Sequence, residues 1–114
     1  MMIDAGEAEV ATWMLHFQRR LVKWNVFRRR INAHLQRHGI AEDRLMGPFF
    51  VTQSDLTDED VFVNKLLHYL RDDVVRSTPD ILFSGDSLTY GALVSRYRQG
   101  QSIFVQEIEF GGTD

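Results

Sequence analysis

Glu42-Asp43-Arg44-Leu45-Met46-Gly47-Pro48-Phe49-Phe50-Val51 is the least generic run in the chain. It combines two acids, a base, a Gly-Pro corner and two adjacent aromatics. Pro48 fixes its own φ and pushes Gly47 out of the right-handed helical region, so the chain must turn here. The run lies between the two longest helical patterns and therefore sets their relative orientation. Residues 40–54 read as non-helical, with Phe49-Phe50-Val51 a short extended segment that crosses the helices and pins them with its aromatics.

Upstream, apolar side chains recur at Val10, Trp13/Met14, Phe17, Leu21, Trp24, Phe27, Ile31 and Leu35. Spacings of three and four predict one helical stripe, which reads as core. Asp4 is placed as an N-cap with Glu7 three residues on, so the helix starts near Ala5. It stops at His38, with Gly39 as the residue past the C-cap. The pattern fits one helix of about 30 residues or two joined near 23–25, where Trp24-Asn25-Val26-Phe27 is poor in strong helix formers.

Downstream, Thr57 is the expected N-cap of the clearest helix. Asp58, Glu59 and Asp60 lie at its positive end, and Phe62, Val63, Leu66, Leu67, Tyr69/Leu70 and Val74 form its apolar face. It ends near Arg76. Ile81-Leu82-Phe83 is strand-like, Ser87 caps a last helix through Leu88, Leu93, Val94 and Tyr97, and Gly100 stops it. Residues 102–110 alternate in part and are expected to pair with 81–83. The fold class is mainly α, with at most a short two-stranded β element near the C-terminus. The 114 residues suit a single helical domain spanning 1–114.

Composition excludes several function classes. With no cysteine there is no disulfide scaffold, thiolate zinc site or cysteine nucleophile, which fits a reducing cytoplasm. No apolar run reaches the length of a membrane span, and residues 1–9 are acidic, unlike a signal peptide. The net charge of −3 conceals an asymmetry: residues 10–41 hold seven Lys/Arg and no Asp or Glu. Two readings fit, a solvated basic helix beside acidic neighbours of its own fold, or a face for DNA or an acidic protein.

No set of residues completes a mechanism. There is no phosphate-cradling Gly-rich loop with its Lys, no dinucleotide fingerprint and no nucleophile elbow. His34 and His38 stand four apart but lack a third metal ligand, so no metal is expected. Asp72-Asp73 sits at a helix C-terminus, where acids are unfavourable, and a salt bridge to Arg71, Arg76 or the basic helix explains it. Arg28-Arg29-Arg30 fans guanidinium groups over a broad arc that can meet phosphates.

In order, Trp24…Phe27-Arg28-Arg29-Arg30-Ile31-Asn32-Ala33-His34-Leu35, then 42–50, then Phe62-Val63-Asn64-Lys65-Leu66-Leu67-His68-Tyr69-Leu70-Arg71-Asp72-Asp73-Val74, then Ile81-Leu82-Phe83, the chain resembles the C-terminal helical lid of McrB-like, restriction-type AAA+ ATPases. The resemblance covers about 24–97 and rests on short matches in order. It implies a lid-like domain, inactive on its own, that packs on an AAA+ core or neighbouring subunit in a restriction or phage-defence system. The core would precede this chain, carrying both Walker motifs and the arginine finger, so ATP or GTP is the cofactor only when that core is supplied.

On this resemblance Arg44 and Gly47 are the nucleotide-side candidates. Arg28, Arg29, Arg30, Pro48 and Phe49 are the candidate contacts for a partner or nucleic acid. The family loop reads Gly-His-Ser before an aromatic; here it is Gly47-Pro48-Phe49-Phe50, which argues against direct nucleotide contact. The alternatives are a free-standing small adaptor or regulator, monomeric or homo-oligomeric, and a nucleic-acid-binding protein using the basic helix 19–37.

Overall fold

The computed structural model describes residues 6–18, 20–85, 88–105 and 108. Its elements are strands β1 (Met14–Phe17) and β2 (Arg20–Lys23) and helices α1 (Trp24–Arg37), α2 (Gln53–Leu56), α3 (Glu59–Leu67) and α4 (Tyr90–Arg98). Single 3₁₀ turns occupy Glu7–Val10, Glu42–Arg44 and Pro79–Ile81, and α3 runs on as a π-helix over His68–Val74. The fold is mainly α, as the sequence predicts.

The first half of the expected long helix is instead a β-hairpin. β1 and β2 pair antiparallel in the register Met14↔Lys23, Leu15↔Val22, His16↔Leu21 and Phe17↔Arg20. Leu15, Phe17 and Val22 are buried, while Met14 and Leu21 are 38% and 41% exposed. The two-residue period of a strand thus decides which side chains enter the core, and the helical stripe misplaces Met14 and Leu21. No Gly or Pro marks the turn. Gln18 takes a φ of 51° there, a conformation that costs a side-chain-bearing residue energy. Tertiary bonds offset that cost: its N–H donates to Glu59 at 3.2 Å, and its side-chain amide donates to the Gln101 carbonyl at 2.6 Å. The expected cap Asp4 lies outside the described residues.

From Trp24 the helical reading holds. Trp24, Phe27, Ile31 and Leu35 are fully buried. The helix closes where Gly39 was placed. With φ +85°, Gly39 donates to the Gln36 carbonyl at 3.1 Å, and Ile40 N–H reaches the Leu35 carbonyl at 3.0 Å. These are the paired bonds that satisfy a helix C-terminus.

The start of α3 lies one residue beyond the expected cap. The Asp58 carboxylate accepts from Asp60 N–H at 3.0 Å and Val61 N–H at 3.3 Å. Thr57 instead ends α2, a single turn opened by the reciprocal Thr52–Asp55 capping box. The predicted apolar face of α3 is buried at Phe62, Val63, Leu66, Leu67, Leu70 and Val74. Val75 N–H bonds the Leu70 carbonyl at 2.9 Å, the wider step of a π turn.

Residues 81–83 form less strand than expected. Pro79–Ile81 is a 3₁₀ turn, and Phe83 makes an isolated antiparallel bridge with Phe104. Flanking bonds run from Ser84 to Ile103 and from Val105 to Leu82, both 2.9 Å. Thr89 caps α4, accepting from Ala92 N–H at 3.2 Å; Ser87, the expected cap, lies outside the described residues. Gly100 (φ +77°) ends that helix as predicted.

An aromatic chain through the core links the hairpin, α1, α3 and the Phe83–Phe104 bridge. Phe17 of the hairpin meets Phe27 of α1 at 5.1 Å, Phe27 meets Phe62 of α3 at 5.6 Å, and Phe17 and Phe83 reach Phe104 at 5.8 and 5.6 Å. Ring pairs at these separations add to the stabilisation from area burial.

A Cβ at Gly39 would meet no atom within 4 Å, so Gly39→Ala tests φ alone. It is expected to lower the unfolding free energy by about 1 kcal/mol, read as a lower urea midpoint with an unchanged denaturant slope.

Candidate functional site

Three side chains of α1, spaced four residues apart, hold the 42–51 loop by its backbone. Asn32 Nδ2 donates to the Met46 carbonyl and Met46 N–H donates to Asn32 Oδ1, both at 2.9 Å. This reciprocal pair imitates a strand-to-strand bond and satisfies both backbone groups of a buried residue. Arg28 also donates to the Met46 carbonyl at 3.3 Å. Trp24 Nε1 donates to the Pro48 carbonyl at 2.9 Å. Helical periodicity places 24, 28 and 32 along one edge of α1, so one helix face sets the path of the loop.

Beneath this clamp lies a buried charge network. Arg28, 0% exposed, donates to Glu7 at 2.6 Å and to Asn25 Oδ1 at 3.2 Å. Arg29 grips the same carboxylate through Nε at 2.8 Å and through Nη2. Asn25 closes the group by donating to the Glu7 carbonyl at 3.0 Å. The hydrogen bond from Arg29, opposed by burial and assisted by both positive charges, holds the Glu7 carboxyl below its ordinary range.

The loop itself is a turn, where an extended run was expected. Phe50 N–H bonds the Gly47 carbonyl at 3.2 Å, with Pro48 in the second position that its fixed φ suits. The two aromatics then separate. Phe50 packs between Trp24 at 6.4 Å and Tyr69 at 5.0 Å, with Lys65 Nζ 5.3 Å from its ring centre. Phe49 points outward and is 56% exposed. Its ring lies against Gly6 (φ +86°), where an added Cβ would overlap it.

The predicted contact residues therefore divide. Arg44, Gly47, Arg29, Arg30 and Phe49 are at the surface, whereas Pro48 and Arg28 are buried. Arg28 is bonded to Glu7 and Met46, and the Pro48 carbonyl accepts from Trp24. Arg44 and the Asp72-Asp73 pair, far apart in sequence, come together with Tyr69 and Arg76 around a cleft of about 490 Å³. Tyr69 O–H donates to the Arg44 carbonyl at 2.8 Å. Burial first, then the charges of Asp73 and Asp43, raises the Tyr69 phenol above its ordinary value. Asp72 bonds His68 at 3.2 Å rather than the expected arginines, and Arg71 donates to the Leu88 and Arg76 carbonyls.

His34 and His38 do share a face, with rings 4.5 Å apart. His34 is buried, and its Nε2 is 2.5 Å from the Ile81 carbonyl, which requires that nitrogen to donate. Among the described residues no group of three potential ligands surrounds a metal position. A larger cavity, about 740 Å³, opens between the hairpin turn and the ends of α3 and α4; His16, Gln18, Glu59, Tyr97 and Arg98 line it. Tyr97 O–H donates to Glu59 there. No local motif announces this cavity, because it is assembled from three separate elements. Among the described residues no helix is long and apolar enough to cross a membrane.

No protein-family model matches the chain, and no solved structure matches it. Over 104 residues it is 38% identical to the Type II restriction enzyme BsuMI component YdiS of Bacillus subtilis (strain 168), a match covering 88% of this chain. The chain spans 30% of that relative's length. It therefore has a homologue in a restriction system.

Two outcomes check the clamp. Asn32→Ala leaves the buried Met46 N–H without its partner and is expected to cost about 1–3 kcal/mol in urea unfolding. For Glu7, the depressed folded-state pKa means its contribution is fully present above the unfolded value and lost as pH falls through the folded one. Glu7→Gln should therefore destabilise the chain at pH 7 and flatten the acid limb of its stability curve.

Proposed function

We propose that the chain is a component of a restriction system and acts there as a McrB-like AAA+ lid, a helical module that moves without turning over nucleotide itself. The observation that carries the reading is the 38% identity over 104 residues to a Type II restriction enzyme component. The ordered matches to the lid pattern supply the finer assignment. Its partner is a nucleotide-binding core or neighbouring subunit, and ATP or GTP belongs to that core.

The geometry suits a mechanical part. A lid transmits motion only if it turns as one body. Here the contact loop is bonded to α1 at Met46 and Pro48, and Phe50 is wedged against α3 through Tyr69. Arg44 and Phe49 are left exposed at the loop's two ends. Arg44 would meet the partner beside the cleft it shares with Asp72 and Asp73. Phe49 would dock in an apolar recess of that partner, as an exposed aromatic at a contact does.

The test is restriction itself. The reading frame encoding this chain, expressed with its neighbouring genes in a restriction-deficient host, is expected to lower the plating of unmodified phage. Deleting the frame should restore plating, and Arg44→Ala with Phe49→Ala should restore it while leaving the fold intact. Plating indifferent to the deletion would overturn the restriction role. Hydrolysis of ATP or GTP by the isolated chain would overturn the lid.

A further inference from the structure

We propose that the free edge of β2 takes an extended, acidic segment of a partner protein as an added third strand. The hydrogen-bond register fixes which backbone groups are available. Trp24 N–H donates to the Trp13 carbonyl at 2.9 Å, so that pair is bonded across the hairpin. Antiparallel pairs alternate between bonded and non-bonded, which makes Met14↔Lys23 and His16↔Leu21 the non-bonded ones. The N–H and C=O of Leu21 and the N–H of Lys23 therefore point off the outer edge. The Lys23 carbonyl instead opens α1, where Lys23 is the N-cap. Among the described residues no third strand joins the sheet and nothing bonds those three groups. α2 and α3 pack on the β1 side of the hairpin.

The same alternation sorts the side chains. Val22 enters the core, whereas Leu21 lies on the outer face with Met14 of β1, its diagonal neighbour across the pair. Both are more than a third exposed, at 41% and 38%. Lys23, exposed and opposite Met14, borders this apolar patch on the same face. Arg20, also exposed, stands at the turn end of β2 on the other face. Among the described residues neither cation is in an ion pair, and residues 10–41 hold no carboxylate.

An added strand gains affinity from main-chain bonds at the edge and specificity from alternate side chains. Read along Arg20 to Lys23, the complementary strand is acid, apolar, apolar, acid. Its carboxylates stand beside Arg20 on one face and Lys23 on the other, and one apolar side chain covers Leu21 and Met14. A second copy of this chain suits the edge poorly. Its β2 brings the same cations, and like charge on an edge strand is a device that keeps edges apart. Four paired residues also bury far less than the about 1,200 Å² of a stable dimer. The proposal does not depend on the lid reading, since it rests on register, exposure and charge.

Amide hydrogen exchange by NMR on the whole chain, titrated with the end-blocked peptide Thr-Thr-Glu-Val-Leu-Glu-Thr-Thr, tests it. At saturation the Leu21 and Lys23 amides should exchange about tenfold more slowly, while Val22, already bonded to Leu15, is unchanged. The same peptide N-methylated at its Val and Leu keeps the charges but loses the edge bonds, and it should not bind. Lys23→Glu should weaken binding about fivefold, and Arg20→Glu added to it further. Urea unfolding checks that each variant is folded. Arg37→Glu, at the far end of α1, makes the same charge change and should leave the affinity as it was. No protection at Leu21 and Lys23, binding of the methylated peptide, or an equal loss in Arg37→Glu would each overturn the proposal. Protection that appears on concentrating the chain without peptide would also overturn it, by making a second copy the occupant.

Discussion

The reciprocal pair between Asn32 and the backbone of Met46 is the constraint on which the rest of this structure depends. A loop that leaves a helix and returns toward the next must satisfy its own buried backbone groups. Here the helix just completed supplies the partners, since Trp24, Arg28 and Asn32 face the loop at intervals of four. Once Met46 and Pro48 are fixed, Phe50 can only enter the gap between Trp24 and Tyr69. That wedge sets the distance from α1 to α3, and the aromatic chain from Phe17 to Phe104 follows.

The same face explains why Arg28 is buried. A guanidinium inside a protein is tolerable only when its charge and donors are met. Glu7 meets the charge, and Met46 and Asn25 take further donors. Glu7 reaches that position because the hairpin folds the N-terminal segment back along α1; a continuous helix through residues 5–37 would carry it far from Arg28. The hairpin and the ion-pair network thus require each other, and both bear on the loop.

For function, the consequence is a division of labour along one helix. Its inner edge holds the loop and leaves Arg44 and Phe49 exposed, while Arg28 and Arg29 of the same helix turn to Glu7.

The sequence alone determined the elements whose signals are local. The Gly39 and Gly100 helix ends, the apolar face of α3, the burial of Trp24, Phe27, Ile31 and Leu35, and the turn at Gly47-Pro48 all follow from periodicity, positive φ and a fixed φ. The special character of 42–51 was legible for the same reason. The tertiary structure decided what depended on distant partners. Spacings of three and four between Val10 and Phe17 fit a helix, and no Gly between the strands offered a contrary mark; bonds from Gln18 to Glu59, Tyr97 and Gln101 hold the chain there. A run of three arginines reads as exposed until an acid at position 7 claims two of them. Burial of a charge is settled by whatever the fold brings beside it, and no pattern within a single segment encodes that.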